Sequence, residues 1–323
     1  MYKIILLFCC SITVSYGQIN PQDIEIVRDS YGVPHIYGKT DADTAYGLAW
    51  VHSEDDFMTI QKAYLAGNQL LSSYLRNDGI IVDFLSQFIE SKKTVDELFD
   101  TLSIDFIKIL EAYSQGINRY AELNPEKVLV KDLFPVTPRK MLNYSFLQLF
   151  ISNGADKLVS SIISNNTIDL SNLRINEDIQ GSNTFAFNNN KTKNGETYLA
   201  INTHQPLDGP NSWYEVHLNS EEGTNILGAT FAGAPCVLTG VNEHLAWTHT
   251  VNYPDKADLF KLKMHDSKKN IYIVDSKEYK LEKHKAKLKY RILGINISIY
   301  KTYYKSIFGP TLKNKSGYYS VRT

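Results

Sequence analysis

The sequence predicts an α+β chain in which a mainly helical half precedes an antiparallel, strand-rich half. Through the first half, apolar residues recur at the three- and four-residue spacing of a helix that buries one face. Beyond residue 182 the recurrence shortens toward the two-residue period of strands, and Asn194-Gly195, a strong hairpin-turn signal, separates two such runs. A polar stretch with no sustained period, 165–181, lies between the halves and reads as a connector.

Taken in order, residues 1–17 have the anatomy of a secretory leader. Lys3 precedes an apolar run from Ile4 to Val14, and Ser15-Tyr16-Gly17 offers small residues for removal before Gln18. The run is too short for a bilayer, which needs about 20 apolar residues, and no later stretch qualifies, so the expectation is an exported chain without a membrane span. Lipid attachment at Cys9 or Cys10 is disfavoured by Phe8, which stands where that processing wants a small side chain. Next, Ser53 heads the acidic run Glu54-Asp55-Asp56 and is expected to cap a helix carrying Phe57, Ile60 and Tyr64 on one face. Phe106, Leu110, Tyr113, Ile117 and Tyr120 define a second helix that stops before Pro125. In the second half, Thr184 to Phe187 and Thr197 to Asn202 read as paired strands. Trp213 to Leu218, Asn225 to Phe231 and Leu245 to Val251 read as further strands.

The 323 residues carry a formal net charge of −1, with 43% hydrophobic and 21% charged residues, so neither a polyanion partner nor wholesale disorder is indicated. Lysines and tyrosines interleave from Lys261 to Lys315, but Asp275, Glu278 and Glu282 are mixed in, and the alternation fits solvated strand faces better than nucleic-acid binding. Past the leader Cys236 stands alone. It cannot close an internal disulfide, and Ala234-Pro235-Cys236-Val237-Leu238 reads as a buried small hydrophobe opening an apolar strand.

Pairing the arms of the hairpin around Asn194-Gly195 brings Ser182 and His204 toward the same end, where a hydroxyl and an imidazole are expected to meet. Gly-x-Ser-x-Gly, P-loop and His-Glu-x-x-His signatures are missing, which prunes α/β-hydrolases, P-loop enzymes and zincins.

Two blocks near the start, residues 28–36 (RDSYGVPHI) and 43–52 (DTAYGLAWVH), resemble the opening of penicillin acylase precursors. Later blocks agree in order: Gly181-Ser182-Asn183, residues 200–206 (AINTHQP), residues 213–218 (WYEVHL) and residues 246–251 (AWTHTV). The last resembles the acylases that include the acyl-homoserine lactone acylases. In many relatives a basic residue follows the aspartate that is here Asp55, whereas this chain has Asp56.

The resemblance implies an N-terminal-nucleophile hydrolase with an αββα four-layer sandwich, incomplete over this length. It implies a precursor that cuts itself between Gly181 and Ser182. The products would be an alpha subunit from 18–164, a trimmed spacer from 165–181 and a beta subunit opening at Ser182, here 182–323, joined as a heterodimer in the bacterial periplasm. Ser182 would then attack a small-molecule acyl amide with its own freed amine as base. His204 would orient it, and the Val251 N–H would stabilise the oxyanion. His217 and His249 are read as structural. No organic cofactor is implied. Asp255, Ala257 and Asp258 match positions that hold a structural calcium ion in many relatives, and oxygen ligands of that kind suit calcium. A second reading is a truncated, noncatalytic remnant with a ligand-binding role.

Overall fold

The computed structural model describes residues 17–164, 181–251, 256–293 and 295–323. Nearly all of the expected leader (1–16), most of the expected connector (165–180) and Asp255 lie outside them.

The chain opens with an antiparallel pair, β1 (Glu25–Arg28) and β2 (Pro34–Gly38). Asp29 organises the turn between them: its Oδ1 accepts from the backbone N–H groups of Tyr31 and Val33. Helix α1 (Asp41–Gly67) then starts from a capping box of Thr40 and Asp43. Ser53 is therefore not a cap. It lies inside α1, 1% exposed, with its hydroxyl returned to the Ala49 carbonyl. The expected helix start is real but falls three residues later, because α1 kinks at Asp56 (φ −149°, ψ 59°) and the Asp56 carboxylate accepts from the Thr59 N–H. The residue that departs from the related pattern is thus the cap of the second helical segment.

Short helices α2 (Leu71–Leu75), α3 (Ile80–Phe88) and α4 (Ser91–Leu98) lead to α5 (Ile104–Leu123), capped by Ser103. Leu110, Tyr113, Ile117 and Tyr120 are buried as the spacing predicts, while Phe106, in the first turn, is left 36% exposed. Helices α6 (Pro138–Ser152) and α7 (Ala155–Ile163) complete the helical half.

The second half begins with β3 (Ser182–Phe187) and β4 (Tyr198–Thr203), which pair only with each other. Asn194-Gly195 does not form the two-residue turn expected of it. It sits inside the longer connection 188–197, where Gly195 takes φ +72°. Next come β5 (Tyr214–Ser220), β6 (Asn225–Thr230), β7 (Thr239–Val241) and β8 (Ala246–Trp247). Of the strand expected over Leu245 to Val251, only Ala246–Trp247 pairs. Cys236 is exposed and precedes β7 outside any strand, correcting the buried-hydrophobe reading. The remaining strands are β9 (Asp258–Lys261), β10 (Lys263–Met264), β11 (Ile271–Val274), β12 (Lys277–Lys280), β13 (Glu282–Ile292), β14 (Ile295–Ser306), β15 (Gly309–Asn314) and β16 (Gly317–Arg322).

Strands β1 and β2 join β5 to β8 in one sheet, ordered β1-β2-β5-β6-β7-β8, with β2 and β5 parallel and all other neighbours antiparallel. Helix α1 covers one face. Ile36, Val216 and Leu218 from the sheet pack with Leu48, Val51, Ile60, Tyr113 and Ile117 from α1 and α5. Each such burial contributes about 1.5–3 kcal/mol before chain entropy is counted. A second core joins Phe84, Phe88, Leu158 and Val159 to Leu288, Leu312 and Tyr319 of the sheet β13-β14-β15-β16-β9. On β13 the residues Lys283, Lys285, Lys287 and Lys289 are exposed while Ala286 and Leu288 are buried, which is the solvated-face alternation expected of the lysine-rich region. Among the described residues no helix is long and apolar enough to cross a membrane.

Candidate active site

Ser182 is the first residue of β3, and the antiparallel register sets it directly opposite Thr203. Its hydroxyl donates to the Gly181 carbonyl oxygen at 2.7 Å, so the Ser182 oxygen lies against the carbonyl of the peptide bond that precedes it. The register brings His204 to the same end, as expected, but not with its ring. Side chains alternate along a strand, so Thr203 shares the face of Ser182 and His204 falls on the face of Asn183. Only the His204 backbone N–H reaches the Ser182 oxygen, at a long 3.5 Å.

The His204 ring flanks Gly181 instead. Nδ1 lies 3.5 Å from where a Cβ on Gly181 would stand, and Asn183 Nδ2 approaches Nε2 at 3.3 Å. The amide nitrogen can only donate, so Nε2 accepts and Nδ1 carries the proton in the neutral ring. An N–H donor therefore lies beside the residue whose carbonyl the hydroxyl touches.

On the serine face, Trp213 Nε1 donates to Thr203 Oγ1 at 2.7 Å, and the indole stacks on Phe231 with ring centroids 4.2 Å apart. This aromatic pair anchors the hairpin's open end to the large sheet. The sequence marked Trp213 as part of a block; the stacking partner carries no signal of its own.

Behind β5 the motif blocks meet. Arg28 grips Asp55 with both terminal nitrogens at 3.0 and 3.1 Å and reaches Glu54 at 3.2 Å, and the Tyr214 hydroxyl donates to Asp55 Oδ2 at 2.5 Å. The His52 ring lies flat on Tyr214, 4.0 Å between centroids and 6° between planes. Burial pushes the His52 imidazole down to about 4 against the opposing pull of Asp56 and Asp55, so the ring is neutral. Burial, then the bond to Asp55, pushes the Tyr214 phenol up. His35 and His217 face each other across β2 and β5 with their Nδ1 atoms 3.0 Å apart.

Val251 follows β8 in unpaired chain and is 41% exposed; β8 belongs to the large sheet and Ser182 to the β3–β4 pair. Asp258 opens β9 opposite Arg322, and Ala257 packs against the second core. Among the described residues no group of three or more His, Cys, Asp or Glu side chains has metal-holding geometry.

The family model described as penicillin amidase matches residues 23–323. An acyl-homoserine lactone acylase PvdQ from Pseudomonas fluorescens strain Pf0-1 is 23% identical over 317 residues, covering 90% of this chain and 41% of the relative. An acyl-homoserine lactone acylase QuiP from the same strain is 22% identical over 74% of this chain and 35% of the relative. The chain thus spans about two-fifths of the length of these relatives. Among solved structures, a thermostable penicillin G acylase from Alcaligenes faecalis in its tetragonal form is 19% identical over 44% of this chain and 80% of that chain, at a TM-score of 0.36. That overlap is too low to carry an argument.

Proposed function

The chain belongs to the penicillin amidase family, and on that premise we propose that it is the N-terminal part of an exported, self-processing amidohydrolase. In this reading the Ser182 hydroxyl attacks the Gly181 carbonyl, the peptide nitrogen leaves as an amine, and water hydrolyses the resulting ester. The protonated Nδ1 of His204, beside Gly181, is suited to donate toward the departing nitrogen. The freed α-amine of Ser182 then serves as base for its own hydroxyl. The mature site transfers the acyl group of a small-molecule amide, of penicillin or acyl-homoserine lactone type, to that oxygen, releases the amine and lets water cleave the acyl-enzyme. Val251 N–H is the proposed oxyanion donor, at about 3 kcal/mol for one such donor.

One observation carries the reading: the Ser182 hydroxyl lies 2.7 Å from the Gly181 carbonyl oxygen at the head of an exposed strand. The experiment is intact mass and N-terminal sequencing of the exported protein beside its Ser182→Ala variant. A fragment beginning at Ser182 in the wild type, with the variant uncut, supports self-cleavage and the alpha/beta heterodimer. A folded wild type that stays intact through Gly181-Ser182 defeats it.

Calcium remains part of the proposal. Asp255 and Asp258 would offer carboxylates and Ala257 its carbonyl, tying the chain between β8 and β9, with no catalytic step routed through the ion. Native mass spectrometry of the same product reads the ion directly. A second reading, a noncatalytic ligand-binding chain, has the uncut, folded product of the intact-mass experiment as its signature.

A further inference from the structure

The histidine pair on the outer face of the large sheet is not used by the proposed reaction. His35 and His217 are register partners in the parallel pairing of β2 with β5, and their Nδ1 atoms approach to 3.0 Å with the ring planes 71° apart. The outer nitrogens face oxygen acceptors, one within hydrogen-bond distance and one beyond it. Asn225 gives its amide nitrogen to Glu243 Oε1 at 2.9 Å, which turns its carbonyl oxygen onto His217 Nε2 at 2.8 Å. That contact requires a proton on His217 Nε2 and leaves the lone pair on Nδ1. On the other side Asp29 uses Oδ1 for the Tyr31 and Val33 N–H groups and turns Oδ2 toward His35 Nε2 at 3.8 Å. At that distance the carboxylate makes no hydrogen bond but its charge favours a proton on Nε2, the tautomer that leaves a lone pair on His35 Nδ1.

In that tautomer two lone pairs face each other across 3.0 Å, and a cation between them removes the repulsion; in the other tautomer His35 Nδ1–H donates to His217 Nδ1. The surroundings favour a cation of charge two. Asp29 ends the row on one side and Glu243 on the other, two carboxylates flanking the two rings. An imidazole whose second nitrogen donates to a carboxylate or amide oxygen is also the usual arrangement of a metal-ligating histidine, because the outer acceptor fixes the tautomer and raises the basicity of the ligating nitrogen. The separation fits as well. With metal–nitrogen bonds of about 2.0–2.1 Å, nitrogens 3.0 Å apart subtend about 94° at the metal, and opening them by a few tenths of an ångström reaches the tetrahedral angle. His35 keeps 28% of its side chain exposed, so the pair lies at the solvent side of the sheet.

We propose that His35 and His217 bind a zinc-class divalent transition-metal ion through their Nδ1 atoms, with water completing the coordination. Imidazole nitrogen selects zinc, copper or nickel over calcium, so this site is chemically distinct from the oxygen site proposed after β8. The protein supplies two ligands.

The test titrates the chelator-treated chain with zinc chloride by calorimetry, with calcium chloride as the comparison. The expected result is one saturable zinc equivalent and no calcium heat at this site, with His35→Ala and His217→Ala each weakening zinc binding by at least about 10-fold. Asn225→Leu, which leaves both ligands in place, is expected to weaken it by about 10–100-fold. Because replacing a histidine could unsettle the sheet, the unmutated chain supplies a second readout: zinc should shift the ring-nitrogen resonances of His35 and His217 in nitrogen-15 spectra. Absence of saturable zinc binding, undiminished binding in the double alanine variant, or unmoved resonances each overturns the site and leaves a direct hydrogen bond between the two rings.

Discussion

At the residue scale, His52 ties stability to pH. It is 3% exposed, its ring lies against Tyr214, and burial lowers its proton affinity to about 4 from the ordinary 6.5. The folded state therefore holds the neutral ring, whereas the unfolded chain takes up a proton below about pH 6.5. Stability associated with His52 is complete above that pH and is lost as pH falls toward 4. A shift of that size corresponds to at most about 3 kcal/mol. Urea unfolding measured between pH 7 and pH 4 should show this loss, and His52→Phe, which keeps the stacking plane and removes the proton site, should flatten the curve across that window. An unchanged slope in the variant would mean that other groups carry the acid sensitivity. The cost of an uncharged buried histidine is offset by what it allows, a flat contact that seats Tyr214 against Asp55.

Among the elements, the crossing of α1 with α5 is a tight constraint. A Cβ built on Gly116 would stand 2.5 Å from the Tyr46 carbonyl oxygen and 2.9 Å from the Ala49 Cβ, so the two helix backbones approach where α5 has no side chain. Helix propensity favours alanine over glycine by about 1 kcal/mol, and here packing opposes it. Gly116→Ala is expected to destabilise by about 1–3 kcal/mol, the cost of overpacking a filled core, and thermal unfolding reads the result. A rise in the midpoint would show that the helices can part without loss. The same economy appears at the edge strand β13, where the Gln87 amide accepts from the Lys287 N–H at 2.8 Å and donates to its carbonyl at 3.0 Å. One side chain from α3 thereby satisfies both backbone groups of Lys287 at the strand edge.

Across the whole molecule, burial is uneven in a way that matters for function. The helix-facing side of the large sheet is buried, while its outer side leaves Val27, Tyr37, Leu227 and Val241 between 38% and 46% exposed. The β3–β4 hairpin that carries Ser182 is exposed along most of its length, with Phe185 at 60% and Ile201 at 43%. Stability should therefore be graded. Backbone amides of β3 and β4 are expected to exchange with deuterium at least about 10-fold faster than those of β5, whose Val216 and Leu218 sit in the core. Equal protection of the two would mean that the hairpin is held by more than its own pairing and the Trp213 anchor.

The sequence by itself determined the order of the two halves, the α5 stripe, the alternation of the lysine-rich strands and the arrival of Ser182 and His204 at one end of a hairpin. These are legible because they are periodic or depend only on distance along the chain. It also pointed to the family, through the ordered blocks at residues 28–36, 43–52 and 213–218 that resemble its members. Tertiary structure decided the rest. Strand alternation, counted from the actual register, turned the His204 ring to Gly181 and away from the Ser182 hydroxyl, a distinction that no estimate of loop length supplies. The helix start near Ser53 moved to Asp56 because the capping box at Thr40 begins a longer helix that kinks there. Finally, the pairing of β2 with β5, residues far apart in sequence, set His35 against His217 and Arg28 near Tyr214. Contacts of that kind follow from which surfaces bury each other, and a single sequence does not encode them as a local pattern.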